Sequence, residues 1–270
     1  MDDALLYYAA DEFESPCRST VPLLSWLKHE QPAVSSLLRD MGMPTGYNLH
    51  LEYKVKPPKG SGQASHTDLM VISGESALSI EAKWTEPQYD TVDKWLTKGP
   101  DPRNRREVLA GWLSLLQEHA MRELRIEDFS GAVYQMVHRA ASACATGKMP
   151  RLAYLIFKPS PDPKTAPVPK LRDDLTHLWN LLGNPKGFPF YVVEVPLSPT
   201  DAFAAIKSLP KGHKETASQV KAALLGSDRL FNFEKYHLTE IGVKTMTPTG
   251  YSEDPLVVQP RFTFPETSKV

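Results

Sequence analysis

Residues 66–84, HTDLMVISGESALSIEAKW, leave the backbone little choice. Ser73-Gly74-Glu75-Ser76 is a turn, with Gly74 supplying the conformational freedom. On either side the residues are β-formers or apolar: Leu69, Met70, Val71 and Ile72, then Leu78, Ser79 and Ile80. The stretch therefore predicts a β-hairpin. If Ser73 pairs with Ser76, Leu69 stands opposite Ile80, Asp68 opposite Glu81 and His66 opposite Lys83. Directly opposed residues share a face. One face then carries Leu69, Val71, Leu78, Ile80 and Ala82 and suits a core. The other carries His66, Asp68, Met70, Ser79, Glu81 and Lys83.

That second face needs compensation, because like charges opposed across a strand pair destabilise it by up to about 1 kcal/mol. A divalent cation held by hard oxygen ligands would supply it. So would Lys83 bridging both acids as a structural ion cluster. A different register would instead turn the charges to water.

The rest of the chain supplies elements to pack around this hairpin. A short amphipathic helix is predicted over 4–14. Thr20 caps a helix through PLLSWLKHE, and Pro32 opens another, PAVSSLLRDMG. NLHLEYKVK, 48–56, alternates as a half-buried strand, with Leu49, Leu51, Tyr53 and Val55 on one face. KPPKGSGQAS, 56–65, is a loop, and 84–106 is partly irregular. Helical spacing follows over 106–124 and over 130–147, where Gly147 ends the helix. RLAYLIFKP, 151–159, reads as a buried strand and 159–170 as a proline-rich loop. LRDDLTHLWNLLG reads as a helix and FPFYVVEVPL as a strand. Residues 200–240 mix short helical patterns with loops, and the tail from Thr247 is proline-rich. No internal repeat is visible.

The order predicts an α/β fold with a central mixed sheet. Its domain plan is an α/β domain over 1–200 and a C-terminal extension over 201–270, packed on the core and ending in the proline-rich tail.

A chain of 270 residues can bury a sizeable core, and 41% hydrophobic with 23% charged residues is ordinary for a globular protein. The formal net charge of -1 provides no global field for nucleic acid. Two cysteines, Cys17 and Cys144, with no CxxC, fit a reducing cytoplasm. The acidic start MDDALLYYAADEF lacks a signal-peptide pattern, and no apolar run is long enough for a membrane span. Walker, GxGxxG, GxSxG and HExxH motifs are absent, and the histidines lack zinc-ligand spacing.

Asp68, followed across a short turn by Glu81-Ala82-Lys83, resembles the PD-(D/E)XK nuclease superfamily, whose restriction-endonuclease-like core runs αβββαβ. The resemblance covers roughly residues 20–160, with the following helix and strand at 130–147 and 151–158. Thr67 stands where the motif has its proline. The resemblance implies a metal-dependent nuclease, acting on DNA more readily than on RNA. It implies Mg²⁺ or Mn²⁺ held by Asp68, Glu81 and the Ala82 carbonyl, with Lys83 reaching the attacking water or the phosphate.

On the helix after Glu-x-Lys, Gln135, His138 and Arg139 share a face. Gln135 is the catalytic candidate there. Arg139, with His138 and His66, is a nucleic-acid-binding candidate, and Gln135 and Arg139 are expected to be exposed. A further acid often joins such sites: Glu30 leads, then Glu14, with Glu52 competing. Arg103, Arg105 and Arg106 in PRNRR and Lys54, Lys56 and Lys59 form local basic patches. Trp84, Trp95, Trp112 and Trp179 read as core anchors. The competing reading is an inactive relative that keeps the fold as a binding or interaction module. A homodimer or a protein partner is compatible with either.

Overall fold

The computed structural model describes residues 8, 10–98, 101–243 and 261–262. The chain folds as an α/β protein around an open mixed sheet. Helices α1 (Thr20–His29) and α2 (Gln31–Asp40) precede strand β1 (Asn48–Val55) and the hairpin β2 (Ser65–Ser73) and β3 (Ser76–Lys83). Helices α3 (Val92–Thr97), α4 (Pro102–Gln117) and α5 (Tyr134–Cys144) lead to β4 (Met149–Lys158). Helix α6 (Val168–Leu181) leads to β5 (Phe190–Pro199). Then come α7 (Asp201–Lys207), α8 (Lys214–Leu225), β6 (Phe231–Phe233), β7 (His237–Glu240) and the two-residue β8 (Arg261–Phe262).

The long strands lie side by side in chain order. β1–β2 and β2–β3 are antiparallel hairpin-type pairs, whereas β3–β4 and β4–β5 are parallel and are bridged by helices, as parallel neighbours require. β7 and β6 pair antiparallel with successive stretches of the outer edge of β5, and β8 pairs with the start of β1.

Each face of the sheet has its own core. On one side Leu51, Leu69, Ile80, Leu155 and Val193 pack with Leu23 and Trp26 of α1, Leu37 of α2, Phe203 of α7 and Val220 of α8. On the other, Tyr154, Ile156 and Val192 pack with Trp112 of α4, Val137 of α5 and Leu175 of α6. The described part of the C-terminal extension thus packs mainly into the first core, with Ile241 in the second, and lengthens the sheet.

Several boundaries differ from the sequence reading. Thr20 is the first residue of α1 and not its cap. α4 begins at Pro102, because the Asp101 side chain accepts from the backbone N–H groups of Arg103 and Asn104, so PRNRR is helical. α5 starts four residues later than predicted, after Val133 has bridged to Thr91. In the N-terminal helix predicted over 4–14, the described part is a 3₁₀ turn at Ala10–Phe13. The proline-rich tail lies outside the described residues except for Arg261 and Phe262. Most consequential is β1. Leu49 and Leu51 face the first core, but Val55 packs against the second. Between them Glu52 has φ +51°, which turns the strand over.

Candidate ion-cluster site

The hairpin has the register that its turn implies, from Ser73↔Ser76 to Leu69↔Ile80. There the ladder stops. The same row breaks on the other side of β2, where β1 pairs up to Leu51↔Leu69 and resumes at Tyr53↔Thr67. Continuing both registers would line up Glu52, Asp68 and Glu81 across three neighbouring strands. The backbone separates there, with Glu52 in the left-handed region.

Asp68, half-buried, accepts a hydrogen bond from the Ala82 backbone N–H at 2.7 Å. In an extended strand a residue's N–H and C=O point to the same side, so the Ala82 carbonyl also faces β2. Glu81 is buried, and each of its oxygens has a cation. Lys83 Nζ lies 2.7 Å from Oε1, and Arg139 Nε donates to Oε2. Lys83 is buried too, 4.4 Å from the centre of the Tyr89 ring. α5 covers this face, so Glu81 is enclosed while Asp68 stays partly open.

Arg139 is only 8% exposed, which corrects the expectation of an exposed phosphate grip. Its guanidinium is committed, donating also to Ser65 Oγ at 2.6 Å. Ser65 in turn lies 2.9 Å from His138 Nδ1 and accepts from Ser142 Oγ at 3.1 Å.

His66 is corrected as well. It was placed opposite Lys83, but β2 and β3 no longer pair at that row, and His66 Nδ1 instead lies 3.3 Å from Glu52 Oε2. Ser65, read from the sequence as the end of the 56–65 loop, opens β2 and faces α5, where Arg139 and Ser142 donate to it. Gln135 faces a cavity beside the cluster, its amide oxygen buried without a hydrogen-bond partner. Of the extra acids, Glu52 is beside Asp68, while Glu30 is tied to Arg229. The backbone carbonyl of Glu14 accepts from Gly212 N, and nothing joins its side chain to the cluster.

The electrostatics follow from this enclosure. Burial pushes Asp68 well above the usual carboxylate range, and the neighbouring Glu81 adds to the push. Burial would raise Glu81 as well, but Arg139 and Lys83 outweigh it and hold its pKa down. Burial would lower Lys83, yet Glu81 more than offsets this and holds the ammonium charged. Burial, then Arg139 and Lys83, depress His138 far below the ordinary imidazole range, so it is neutral.

Sequence reasoning missed three participants. Ser65 links Arg139 to His138. Tyr89 stacks over Lys83. Glu86 accepts from the Trp84 and Thr85 N–H groups at 2.7 and 3.0 Å and fixes the segment leaving β3. The adjoining segment is pinned to α5 through Tyr134 N–H donating to the Asp90 carbonyl at 3.0 Å. Only the local Glu86-type capping could have been read from sequence.

The family model described as a domain of unknown function (DUF6946) matches residues 2–189. The chain belongs to that family. The matched span holds every residue of the cluster. No curated protein and no solved structure matches the chain. Among the described residues no helix is long and apolar enough to cross a membrane.

Whether these residues suit a metal can be asked of the donors themselves. Asp68, Glu81 and the Ala82 peptide are hard oxygen donors that converge, and Glu52 is adjacent. That chemistry fits Mg²⁺ or Mn²⁺. Among the described residues, however, no group of three or more His, Cys, Asp or Glu side chains is arranged to hold an ion. Lys83 and Arg139 already occupy the two oxygens of Glu81, so Glu81 must exchange a cation for a metal to bind.

Proposed function

We propose that this protein is a metal-dependent nuclease of the PD-(D/E)XK type that hydrolyses phosphodiester bonds in nucleic acid, DNA more readily than RNA. The observation that carries the reading is the meeting of Asp68, Glu81 and Lys83 where β2 and β3 separate, under the helix that bears Gln135, His138 and Arg139. The chain order α1–α2, β1, β2, β3, then α3–α5, then β4 is compatible with the αβββαβ order that the resemblance implies.

Asp68, Glu81 and the Ala82 carbonyl would hold Mg²⁺ or Mn²⁺, which supplies charge neutralisation at the phosphate and a more acidic bound water. The protein's own contribution is electrostatic preorganisation. Lys83 keeps its proton in a buried site and offers an ammonium where negative charge grows. Glu81 stays ionised because two cations flank it. Arg139 fixes Glu81 and, through Ser65, fixes the His138 ring. His138, neutral, offers a hydrogen bond and not a charge.

The test is cleavage of plasmid, linear duplex, single-stranded DNA and RNA with Mg²⁺ or Mn²⁺, stopped by EDTA. Lys83→Ala is expected to lose cleavage while metal still raises its melting temperature. Intact substrates across the panel would overturn the reading.

One observation favours a second reading. Both Glu81 oxygens are already satisfied by buried cations, as in a structural ion cluster. In that case the fold is an inactive binding or interaction module. It would show no metal-induced stabilisation and no cleavage.

A further inference from the structure

Beside the cluster lies a cavity of about 670 Å³. One wall is the loop between β1 and β2, docked backbone-first onto α4. Asn104 Oδ1 accepts from Ser61 N–H at 2.7 Å, and Asn104 Nδ2 donates to the Ser61 carbonyl at 2.6 Å. A Cβ on Gly111 would lie 2.8 Å from Lys59 N, so the helix tolerates only glycine at this approach. The facing wall is aromatic. Trp95 and Tyr134 stack at 3.6 Å and 11°, Trp112 Nε1 donates to Tyr134 Oη at 3.2 Å, and Arg105 lies 5.0 Å from the Trp95 ring centre. The floor is Ser65, Gln135, His138 and Arg139, with the Gln135 amide oxygen buried and unpartnered.

We propose that this cavity is a pocket for an unpaired nucleobase and that the protein's substrate is single-stranded nucleic acid. The proposal rests on the nuclease reading for its substrate class. Its own grounds are size and chemistry. The volume lies within the range of about 300–1,000 Å³ typical of small-ligand pockets. Unstacked bases are recognised by aromatic surfaces and by hydrogen bonds to their edges. The wall supplies the first through the Arg105 guanidinium plane lying on Trp95, since the facing rings of Trp95 and Tyr134 already stack on each other. Gln135 and neutral His138 supply the second, and an orphaned buried amide oxygen is satisfied by a base N–H. The net charge of -1 adds no field to gather duplex phosphates.

The experiment is fluorescence anisotropy in EDTA, where no cutting occurs, with labelled single-stranded DNA, single-stranded RNA and a DNA duplex of the same sequence. Single strands are expected to bind at least about tenfold more tightly than the duplex, with quenching of tryptophan fluorescence. Gln135→Ala is expected to weaken single-strand binding about tenfold, the loss of one buried hydrogen bond. Arg105→Ala, with its melt checked, serves as a second variant on the wall and is expected to weaken binding as well. Equal binding of duplex, no binding of either, or no effect of both variants would overturn the pocket. The DNA and RNA arms assign the sugar. Single-strand binding without cleavage in Mg²⁺ or Mn²⁺ would sink the nuclease reading and leave the pocket standing. Cleavage that prefers duplex would do the reverse.

Discussion

Replacing Arg139 by methionine keeps the length of the aliphatic stem and removes the guanidinium. The residue is 8% exposed and Glu81 is 2% exposed, so the change leaves a buried carboxylate with Lys83 as its remaining cation. Breaking a buried ion pair by removing one partner costs about 3–5 kcal/mol. Lys83, still 2.7 Å from Oε1, holds the loss near the lower end. Against a total stability of about 5–15 kcal/mol the variant should still fold. At roughly 2–4 °C per kcal/mol for a chain of this size, it should melt about 10 °C lower. Urea and thermal unfolding followed by far-UV circular dichroism measure this directly. In a double-mutant cycle with Glu81→Gln the two changes should couple by about 1–3 kcal/mol, since the residues touch.

The same variant also probes the metal. Glu81 meets a cation at each of its oxygens, Lys83 and Arg139. Losing Arg139 removes one positive charge from the cluster and frees a Glu81 oxygen. Millimolar Mg²⁺ should therefore raise the melting temperature of Arg139→Met more than that of the parent, by mass action on the folded state. A loss of stability under about 1 kcal/mol, or no coupling to Glu81, would refute the argument that Arg139 sustains the buried acid.

Asp68→Asn should raise stability in the absence of metal at neutral pH, because the amide oxygen still accepts from Ala82 N–H while the repulsion with Glu81 is gone. A raised folded pKa means that the folded state holds its proton longer than the unfolded chain. The parent's penalty therefore grows as pH rises through the folded pKa and vanishes below the unfolded value, so the variants' melts should converge in acid. A parent that is the more stable of the two at neutral pH would contradict this. His138→Gln should flatten the loss of parent stability below about pH 6.5, since the unfolded imidazole takes up a proton there and the folded one does not; unchanged acid limbs in matched denaturation curves would tell against a buried neutral ring. Glu52→Gly should add about 1 kcal/mol by accommodating the left-handed backbone, and it should reduce the stabilisation given by Mg²⁺ if Glu52 lies against the ion. A destabilised Glu52→Gly would show that the Glu52–His66 contact outweighs the strain.

The hairpin was legible because its information is local. A glycine turn and two alternating strands specify one register, and Leu69↔Ile80 is where that register placed it. The helix and strand that follow were legible for the same reason, from apolar periodicity. What failed depended on contacts distant in sequence. Arg139 reads as one of three polar residues on a helix face, yet α5 lays that face on the acid of β3, Glu81. Only the packing of α5 on the sheet turns a surface arginine into a buried counter-ion. β6 and β7 span three and four residues and are strands chiefly because the open edge of β5 offers partners.

Glu52 shows how backbone geometry escapes pattern reading. NLHLEYKV alternates cleanly, and glutamate is not a residue whose presence signals a left-handed backbone. A regular β1 would place Glu52, Asp68 and Glu81 abreast, three carboxylates in one row across adjacent strands. The sheet avoids that arrangement by breaking its ladder on both sides of Asp68 and turning over β1 at the same row. The break also frees the Ala82 peptide from the hairpin ladder, so that its N–H meets the Asp68 carboxylate. A left-handed non-glycine residue costs on the order of 1–2 kcal/mol. A fold selected for stability alone has an easier solution, which is to replace one acid. Three acids at one row, with both buried cations on Glu81, are what the proposed metal site would require.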